Sequence, residues 1–429
     1  MNERTTHTMG ALPETYYAVL LHGRRIGTLC QKGDYTRFVM NDHYVEDPSR
    51  SVLGLRFEEN LRAPYASALR LPKWFSNLLP EGPLREWIAD DRGVSLDREM
   101  ELLAQVGHDL PGAAQVVPAE GPDDNWEWQE SEATRSGSAQ MSGRGAVSPW
   151  RFSLAGVALK FSMLAHGDRL TVPAAGELGD WLVKFPDYRH ADVPRNEFAI
   201  MSLAKSVGLD VPDIRLLHRE ELGGLPDRMW PNSEKWAYAV RRFDRAPDGV
   251  KSRVHIEDFA QVRDKYPRDK YQSTFETVAA VAYRGRDLDS LREAVRRIAF
   301  SVAVGNGDAH LKNWSLIYRD RRTPTLSPAY DLVSTIPYAP GDEPEDLGLK
   351  FGGSKRFENV RLTGFDRLEH MLDHRFGTSG AHLAAVAEET VRGVREQWPA
   401  HEEALAANPG LCSQVGNWIA GATARLLKG

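Results

Sequence analysis

Two acids and an amide stand in this sequence at the spacing that phosphoryl transfer needs. Asp308 and Asn313 lie within Gly305-Asn306-Gly307-Asp308-Ala309-His310-Leu311-Lys312-Asn313, and Asp331 closes Pro328-Ala329-Tyr330-Asp331. The D-x-x-x-x-N interval is that of a catalytic loop, in which the Asp accepts the proton of an acceptor hydroxyl and the Asn oxygen holds Mg²⁺. Asp331 supplies a second metal ligand. Magnesium takes oxygen donors, usually one or two protein carboxylates plus nucleotide phosphates, so Asn313 and Asp331 make a sufficient minimal set. The same Gly-Asn-Gly-Asp run also suits an ordinary helix stop and turn, so its context has to decide.

That context is a helix leading into a hairpin. Leu291, Ala294, Val295, Ile298 and Val302 recur at helical spacing, and Gly305 is a natural stop. Trp314 to Tyr318 and Thr325-Leu326 read as two short strands around the polar Arg319 to Arg322 turn. The far end of the hairpin delivers Asp331.

A nucleotide-dependent site also needs a lysine for phosphates and a loop to cover them. Trp181-Leu182-Val183-Lys184-Phe185 is an apolar run carrying one lysine, in the manner of the V-A-I-K strand. Asn196 reads as an N-cap and Glu197 as the opening of a helix that ends at Gly208. Glu197 is placed to pair with Lys184, although a first-turn Glu also serves the helix dipole without any catalytic role. The candidate covering loop is Ser153-Leu154-Ala155-Gly156-Val157-Ala158-Leu159-Lys160. Its single glycine matches neither G-x-G-x-x-G nor a Walker A, so a plain β-turn fits that pattern equally.

As a set, these residues resemble the HipA family, the serine/threonine kinase toxins of bacterial HipBA toxin-antitoxin modules. The resemblance spans nearly the whole chain. It includes Phe75-Ser76-Asn77-Leu78-Leu79-Pro80-Glu81-Gly82, Gly107-His108-Asp109-Leu110-Pro111-Gly112-Ala113, Ser153 to Lys160, Val183-Lys184-Phe185 and Asn196-Glu197. It continues through Arg242-Phe243-Asp244-Arg245, Glu257-Asp258-Phe259-Ala260-Gln261, Gly307 to Asn313 and Pro328 to Asp331. The resemblance implies an α+β, two-lobed protein-kinase-like fold with a β-rich N-terminal subdomain and a mainly helical C-terminal lobe. It implies ATP and Mg²⁺ as cofactors, Asp308 as the catalytic aspartate, Asn313 and Asp331 on the metal, and Lys184 on the phosphates. Lys160 and His310 fall near those phosphates, with Ala155 and Gly156 in the covering loop. The backbone at Arg242-Phe243 forms the adenine-facing hinge, and Gln261 and Tyr330 line the nucleotide pocket. Ser153 matches a serine that family members autophosphorylate, and a phosphoserine there is expected to expel nucleotide by charge. The implied partners are a protein Ser/Thr substrate, with aminoacyl-tRNA synthetases the target class, and a helix-turn-helix HipB-like antitoxin. DNA is reached only through that antitoxin. Arg241, where many relatives carry Glu, and Leu110-Pro111, where they carry a Cys-containing pair, depart from the pattern away from the reacting groups.

Length and composition fit this reading. At 429 residues, with 41% hydrophobic and 27% charged side chains, the chain is an ordinary globular protein too long for one core. Its net charge of -6 gives no overall attraction to nucleic acid or anionic membrane. Cys30 and Cys412 are too few for a disulfide framework, and Met1 to Gly10 lacks the apolar core of a signal peptide. A cytoplasmic protein without membrane contact is expected.

Four regions follow: a β-rich subdomain over 12–117, a flexible connection over 118–149, a nucleotide-binding lobe over 150–245 and a helical catalytic lobe over 246–429. Tyr16 to Leu21, Ile26 to Leu29 and Tyr35 to Met40 read as a meander, and a helical stretch runs through about Leu84 to Val106. Trp126 and Trp128 stand out in the connection as residues able to dock on a lobe. Arg296-Arg297 reads as solvated surface and His255 as structural. Two other functions use the same acids and amide: a small-molecule phosphotransferase, and a weakly active co-repressor that works through antitoxin binding.

Overall fold

Alternation of apolar and polar residues builds the first sheet. In the computed structural model, which describes residues 14–122, 160–166, 169–171, 178–223, 225, 227–246, 252–339, 345–377 and 379–428, five antiparallel strands run in the order β4-β3-β2-β1-β5. They are β1 (Glu14–Leu21), β2 (Arg24–Lys32), β3 (Tyr35–Met40), β4 (Tyr65–Ala68) and β5 (Ala114–Ala119). The tight links His22-Gly23 and Gly33-Asp34 enforce the meander, and Gly23 and Gly33 take left-handed φ of 78° and 58°. Phe38, Phe57, Trp74 and Phe75 pack together against this sheet, Phe38 on Phe75 edge to face with ring centroids 4.9 Å apart and Phe57 tilted on Trp74 at 5.6 Å. The stretch expected as one helix from Leu84 to Val106 is two, α1 (Gly82–Arg92) and α2 (Glu99–Val106). Gly93 separates them at φ 64°, where its amide caps the Ala89 and Asp90 carbonyls.

A second antiparallel sheet, ordered β7-β6-β8-β10-β9, forms the β-rich part of the nucleotide lobe. Its strands are β6 (Lys160–His166), β7 (Arg169–Thr171), β8 (Trp181–Lys184), β9 (Ile214–His218) and β10 (Trp236–Arg241). Helix α3 (Val193–Ser206) packs across it through Ala199, Ile200, Leu203 and Ala204, all fully buried. The expected N-cap at Asn196 is wrong by a turn. The helix begins at Val193 behind Asp192, and Asn196 is buried inside it, its amide donating to the Ser334 carbonyl (2.9 Å) and to the Tyr338 hydroxyl (3.2 Å). Pro194 in the first turn was the available signal.

The remaining lobe is mainly helical. It contains α4 (Phe275–Tyr283), α5 (Leu288–Val304), α6 (Leu362–Phe376), α7 (Leu383–Gln397) and α8 (Pro409–Leu427), with a small sheet of β11 (His255–Asp258), β12 (Ser315–Tyr318) and β13 (Thr325–Leu326). A hairpin, β14 (Asp346–Phe351) and β15 (Ser354–Arg356), follows Asp331. Helix α5 is the spine, its Leu291, Ala294, Val295, Ile298 and Val302 fully buried as their spacing predicts. Arg297 differs from expectation. It is buried, with Nε on Glu293 (2.8 Å) and Nη2 on the Ser327 carbonyl (2.6 Å). His255 is buried too, with Nε2 2.7 Å from the Leu53 carbonyl oxygen. Among the described residues no helix is long and apolar enough to cross a membrane.

Candidate active site

The loop after α5 is built by short-range hydrogen bonds that leave little freedom. Gly305 ends the helix at φ 72°, where a Cβ would strike the Ile336 side chain at 2.3 Å, so only glycine fits. Asn306 Oδ1 then accepts from the Asp308 amide (3.0 Å), an Asx turn. The Asp308 carbonyl in turn accepts from the His310 amide (2.8 Å) and from Asn313 Nδ2 (2.7 Å). That second bond fixes the Asn313 amide with its oxygen free of hydrogen bonds among the described residues. Gly307 is pressed against β14, a Cβ there coming within 2.6 Å of the Asp346 carbonyl oxygen.

Across the cleft, strand register places the lysines. Lys160 on β6 pairs directly with Lys184 on β8, so both side chains leave the same face of the sheet. Like charges at directly opposed positions destabilise a sheet unless anions neutralise them. Two anions are present: Lys184 Nζ lies 2.5 Å from Glu197 Oε1 and 2.5 Å from Asp331 Oδ1. Burial works against the Lys184 cation, but Asp331 and Glu197 outweigh it and hold the ammonium above its usual range. Burial likewise opposes the Asp331 anion, and Lys184 with Lys160 brings it below the usual carboxylate range. Glu197 is raised, because its burial outweighs the attraction of Lys184. Lys160, equally buried, makes no hydrogen bond or ion pair among the described residues, and burial pushes it down to about 8 against the pull of Asp331. Asp331 itself holds a left-handed φ of 56°, uncommon for a residue other than glycine.

These groups line one cleft of about 700 Å³ between the second sheet and the helical lobe, a size suited to a nucleotide. Asp308, His310, Asn313, Tyr330, Asp331, Lys160, Lys184, Arg242, Phe243 and Gln261 all border it. Phe243 and Tyr330 offer an aromatic end, their ring centroids 5.7 Å apart. The Tyr330 hydroxyl contacts Ser315 Oγ (2.6 Å) and donates to the Lys312 carbonyl (3.0 Å). His310 is buried with its Nδ1 unpartnered among the described residues, and burial lowers its pKa against the pull of Asp308. Gln261 reaches the cleft edge with its amide already engaged, Nε2 on the Trp74 carbonyl and Oε1 on the Asp258 amide. The Arg242 side chain turns away from the cleft, gripping Asp244 with Nε (2.9 Å) and Nη2 (2.8 Å), while its amide donates to the Asp180 carbonyl. Ser153, Ala155 and Gly156 lie outside the described residues, as do Trp126 and Trp128.

Sequence reading missed several neighbours. Lys312, inside the loop, is buried and reaches Glu81 Oε1 (3.1 Å) and the Asn77 carbonyl (2.8 Å) on the first-sheet side. Lys270 joins the same carboxylate at 2.9 Å. Tyr271 donates to Asp308 Oδ1 at 2.5 Å. Next to Arg242 and Phe243, Asp109 and Asp244 are buried among Arg242, Arg245 and Arg253, with Arg245 Nη2 2.6 Å from Asp109. Asp109 and Arg242 stood within the motifs that carry the resemblance, but their contact is across 133 positions and leaves no local periodicity.

A β-rich lobe over a helical lobe, with this cleft between them, defines a two-lobed protein-kinase-like fold. Residues 152–398 match the HipA-like C-terminal domain and residues 17–117 the HipA N-terminal domain. The chain belongs to the HipA family. It is 40% identical over 406 residues to "Putative kinase Y4dM" of Sinorhizobium fredii, covering 91% of this chain and 93% of that protein. It is 27% identical over 299 residues to the serine/threonine-protein kinase toxin HipA of Shewanella oneidensis, covering 61% of this chain and 62% of the toxin. A solved complex of Shewanella oneidensis HipA with HipB and its operator DNA contains a chain that superposes with a TM-score of 0.68 at 19% identity, over 96% of this chain and 97% of that one.

Proposed function

We propose that this protein is an ATP-dependent serine/threonine protein kinase of the HipA toxin type. The observation that carries the reading is the convergence of Asp308, Asn313 and Asp331 on one cleft wall, facing Lys184 and the unpartnered Lys160 on the other. A lysine ammonium that borders the cleft and has no hydrogen-bond partner among the described residues, opposite a second ammonium, suits the phosphates of a nucleotide. The free Asn313 oxygen and the Asp331 carboxylate suit Mg²⁺. With only these two protein oxygen donors, the ion would complete its shell with phosphate oxygens and water.

In this account the Phe243 and Tyr330 end of the cleft takes the base, and Lys184 and Lys160 take the phosphates. When bound, Mg²⁺ neutralises the charge that develops between the β- and γ-phosphates. Glu197 holds the Lys184 ammonium in position. Asp308 accepts the proton of a serine or threonine hydroxyl while that oxygen bonds to the γ-phosphorus and the bond to the leaving ADP breaks. The implied target is a cellular protein, with aminoacyl-tRNA synthetases the class that the family suggests, and its phosphorylation arrests growth. A HipB-like antitoxin neutralises the toxin and links it to operator DNA, in line with the assembly named for the Shewanella relative. A cytoplasmic setting supplies ATP. The test is transfer from γ-labelled ATP to lysate proteins, followed by phosphosite mapping, with growth scored on expression of wild type and Asp308→Ala. Arrest that survives Asp308→Ala unchanged points to sequestration by binding and away from phosphorylation.

A further inference from the structure

Asp308 has a neighbour that the account so far leaves idle. Tyr271 follows the short turn Pro267–Asp269, and its hydroxyl donates to Asp308 Oδ1 at 2.5 Å. The other carboxylate oxygen makes no hydrogen bond among the described residues, and the Asp308 side chain is 47% exposed to the cleft. A carboxylate on a single bond turns through a broad range of χ2. One charge-assisted bond to a fixed donor removes that freedom.

The donor is 39% exposed but held from one side. Its ring meets the buried His310 edge-on, with centroids 5.0 Å apart and planes at 81°. The Lys270 carbonyl beside it accepts from the Leu311 amide (3.1 Å), which ties the Tyr271 segment to the loop that carries Asp308. Lys270 Nζ is held on Glu81 (2.9 Å). Lys355 Nζ from the hairpin lies 5.6 Å from the ring centroid on the cleft side. Burial and the charge of Asp308 raise the phenol above its usual range, so it is a donor at neutral pH.

We infer that Tyr271 is a positioning residue for hydroxyl phosphorylation: its phenol clamps Asp308 Oδ1 so that the opposite oxygen stays aimed at the incoming acceptor hydroxyl. This rests on the kinase reading above. A clamp that acts through orientation affects the transfer step and leaves nucleotide binding alone.

The experiment uses the full chain with γ-labelled ATP and Mg²⁺, and dephosphorylated casein as acceptor. It compares wild type, Tyr271→Phe and Tyr271→Ala. Tyr271→Phe keeps the ring against His310 and removes only the donor, so kcat is expected to fall about 10- to 100-fold, the range of one hydrogen bond to a charged group. The KM for ATP and the Kd of a fluorescent ATP analogue are expected to stay within about twofold of wild type, as for a group that acts in the transition state alone. Equal kcat for Tyr271→Phe and wild type, with loss only in Tyr271→Ala, makes the residue a packing element and overturns the inference. A faster Tyr271→Phe also overturns it, since the phenol would then be blocking the acceptor position. Both of those results leave the kinase reading intact. Absence of transfer by wild type to casein and to lysate proteins alike removes that reading and the inference together.

Discussion

Lys312, four residues after Asp308, is held 3.1 Å from Glu81, a residue that precedes it by more than two hundred positions and stands immediately before α1. Lys270, which supports the Tyr271 segment, shares that carboxylate. The first sheet's flank is thereby a structural part of the loop that presents Asp308 and Asn313. Burial opposes the Glu81 anion, yet Lys312 and Lys270 hold it down to about 2.

Replacing Glu81 by Gln leaves the Lys270 ammonium without its carboxylate and Lys312 with only the more distant Asp258 (3.8 Å), and loss of one partner of a buried pair costs about 3–5 kcal/mol. Urea unfolding at neutral pH is expected to show a loss of that order for Glu81→Gln, with reduced transfer activity. The pH dependence follows from the sign of the shift. A carboxylate lowered in the folded state stabilises above its unfolded value of 4.5 and loses that stabilisation as pH falls through about 2. The gap between wild type and Glu81→Gln should therefore close in acid. A gap that persists unchanged at the lowest pH where both proteins still fold contradicts the ion-pair assignment.

Asp308→Asn, Asn313→Ala and Asp331→Asn should each lower phosphotransfer steeply, with circular dichroism and melting temperature near wild type for the first two and a lowered melting temperature for Asp331→Asn, which takes an anion from buried Lys184. Loss of a general base alone typically costs about 10²- to 10⁴-fold. Asn313→Ala also frees the Asp308 carbonyl from its 2.7 Å bond, so its loss should be no smaller. Near wild-type turnover in any one variant removes that residue from its assigned role.

Lys184→Met leaves buried Glu197 and part-buried Asp331 beside each other with the cation that bridges them gone and only Lys160 acting on both. Like charges in one site push carboxyl pKa values up, and a raised folded value gives stability that is present at low pH and lost as pH rises. Melting curves should show the deficit of Lys184→Met growing between about pH 5 and about pH 8, across the range where raised carboxyls titrate. A deficit that is constant over that range argues that the two carboxylates do not couple through Lys184.

Asp109→Asn tests the buried cluster next to Arg242 and Phe243. Burial disfavours the Asp109 anion, but Arg242, Arg245 and Arg253 together hold its carboxyl far below the usual range. Neutralising it leaves those guanidinium groups sharing Asp244, and a destabilisation of about 3–5 kcal/mol is expected. Because Arg242 and Phe243 border the cleft, ATP affinity should fall in parallel. Stability loss with unaltered ATP affinity would limit the cluster to holding the fold.

Local chemistry made much of this legible. Asp308 and Asn313 are joined through one turn of chain, the helix before them has a clear 3.6-residue period, and Gly305 stops it, so the loop's place in the chain was legible from spacing together with its flanking helix and hairpin. The Lys184 and Glu197 pair was readable because strand and helix follow each other within 13 positions. Asn196 misled because a buried side-chain amide inside a helix has the same residue type as a cap, and only the preceding Asp192-Val193-Pro194 told them apart. Tyr271, Glu81 and Asp109 were beyond reach for a different reason. Their partners are 37 to 231 positions away or more loosely joined through the tertiary fold, and an exposed-looking Tyr or Glu carries no periodic signal of what it will meet.

The most direct measurement is label transfer from γ-labelled ATP in the presence of Mg²⁺, run on the full chain and on Asp308→Asn side by side with cell lysate as the source of acceptors. The account predicts phosphoserine or phosphothreonine on a small set of lysate proteins with wild type, reduced by about 10²-fold or more with Asp308→Asn. Equal labelling by both proteins, or none by wild type while it binds ATP, contradicts it.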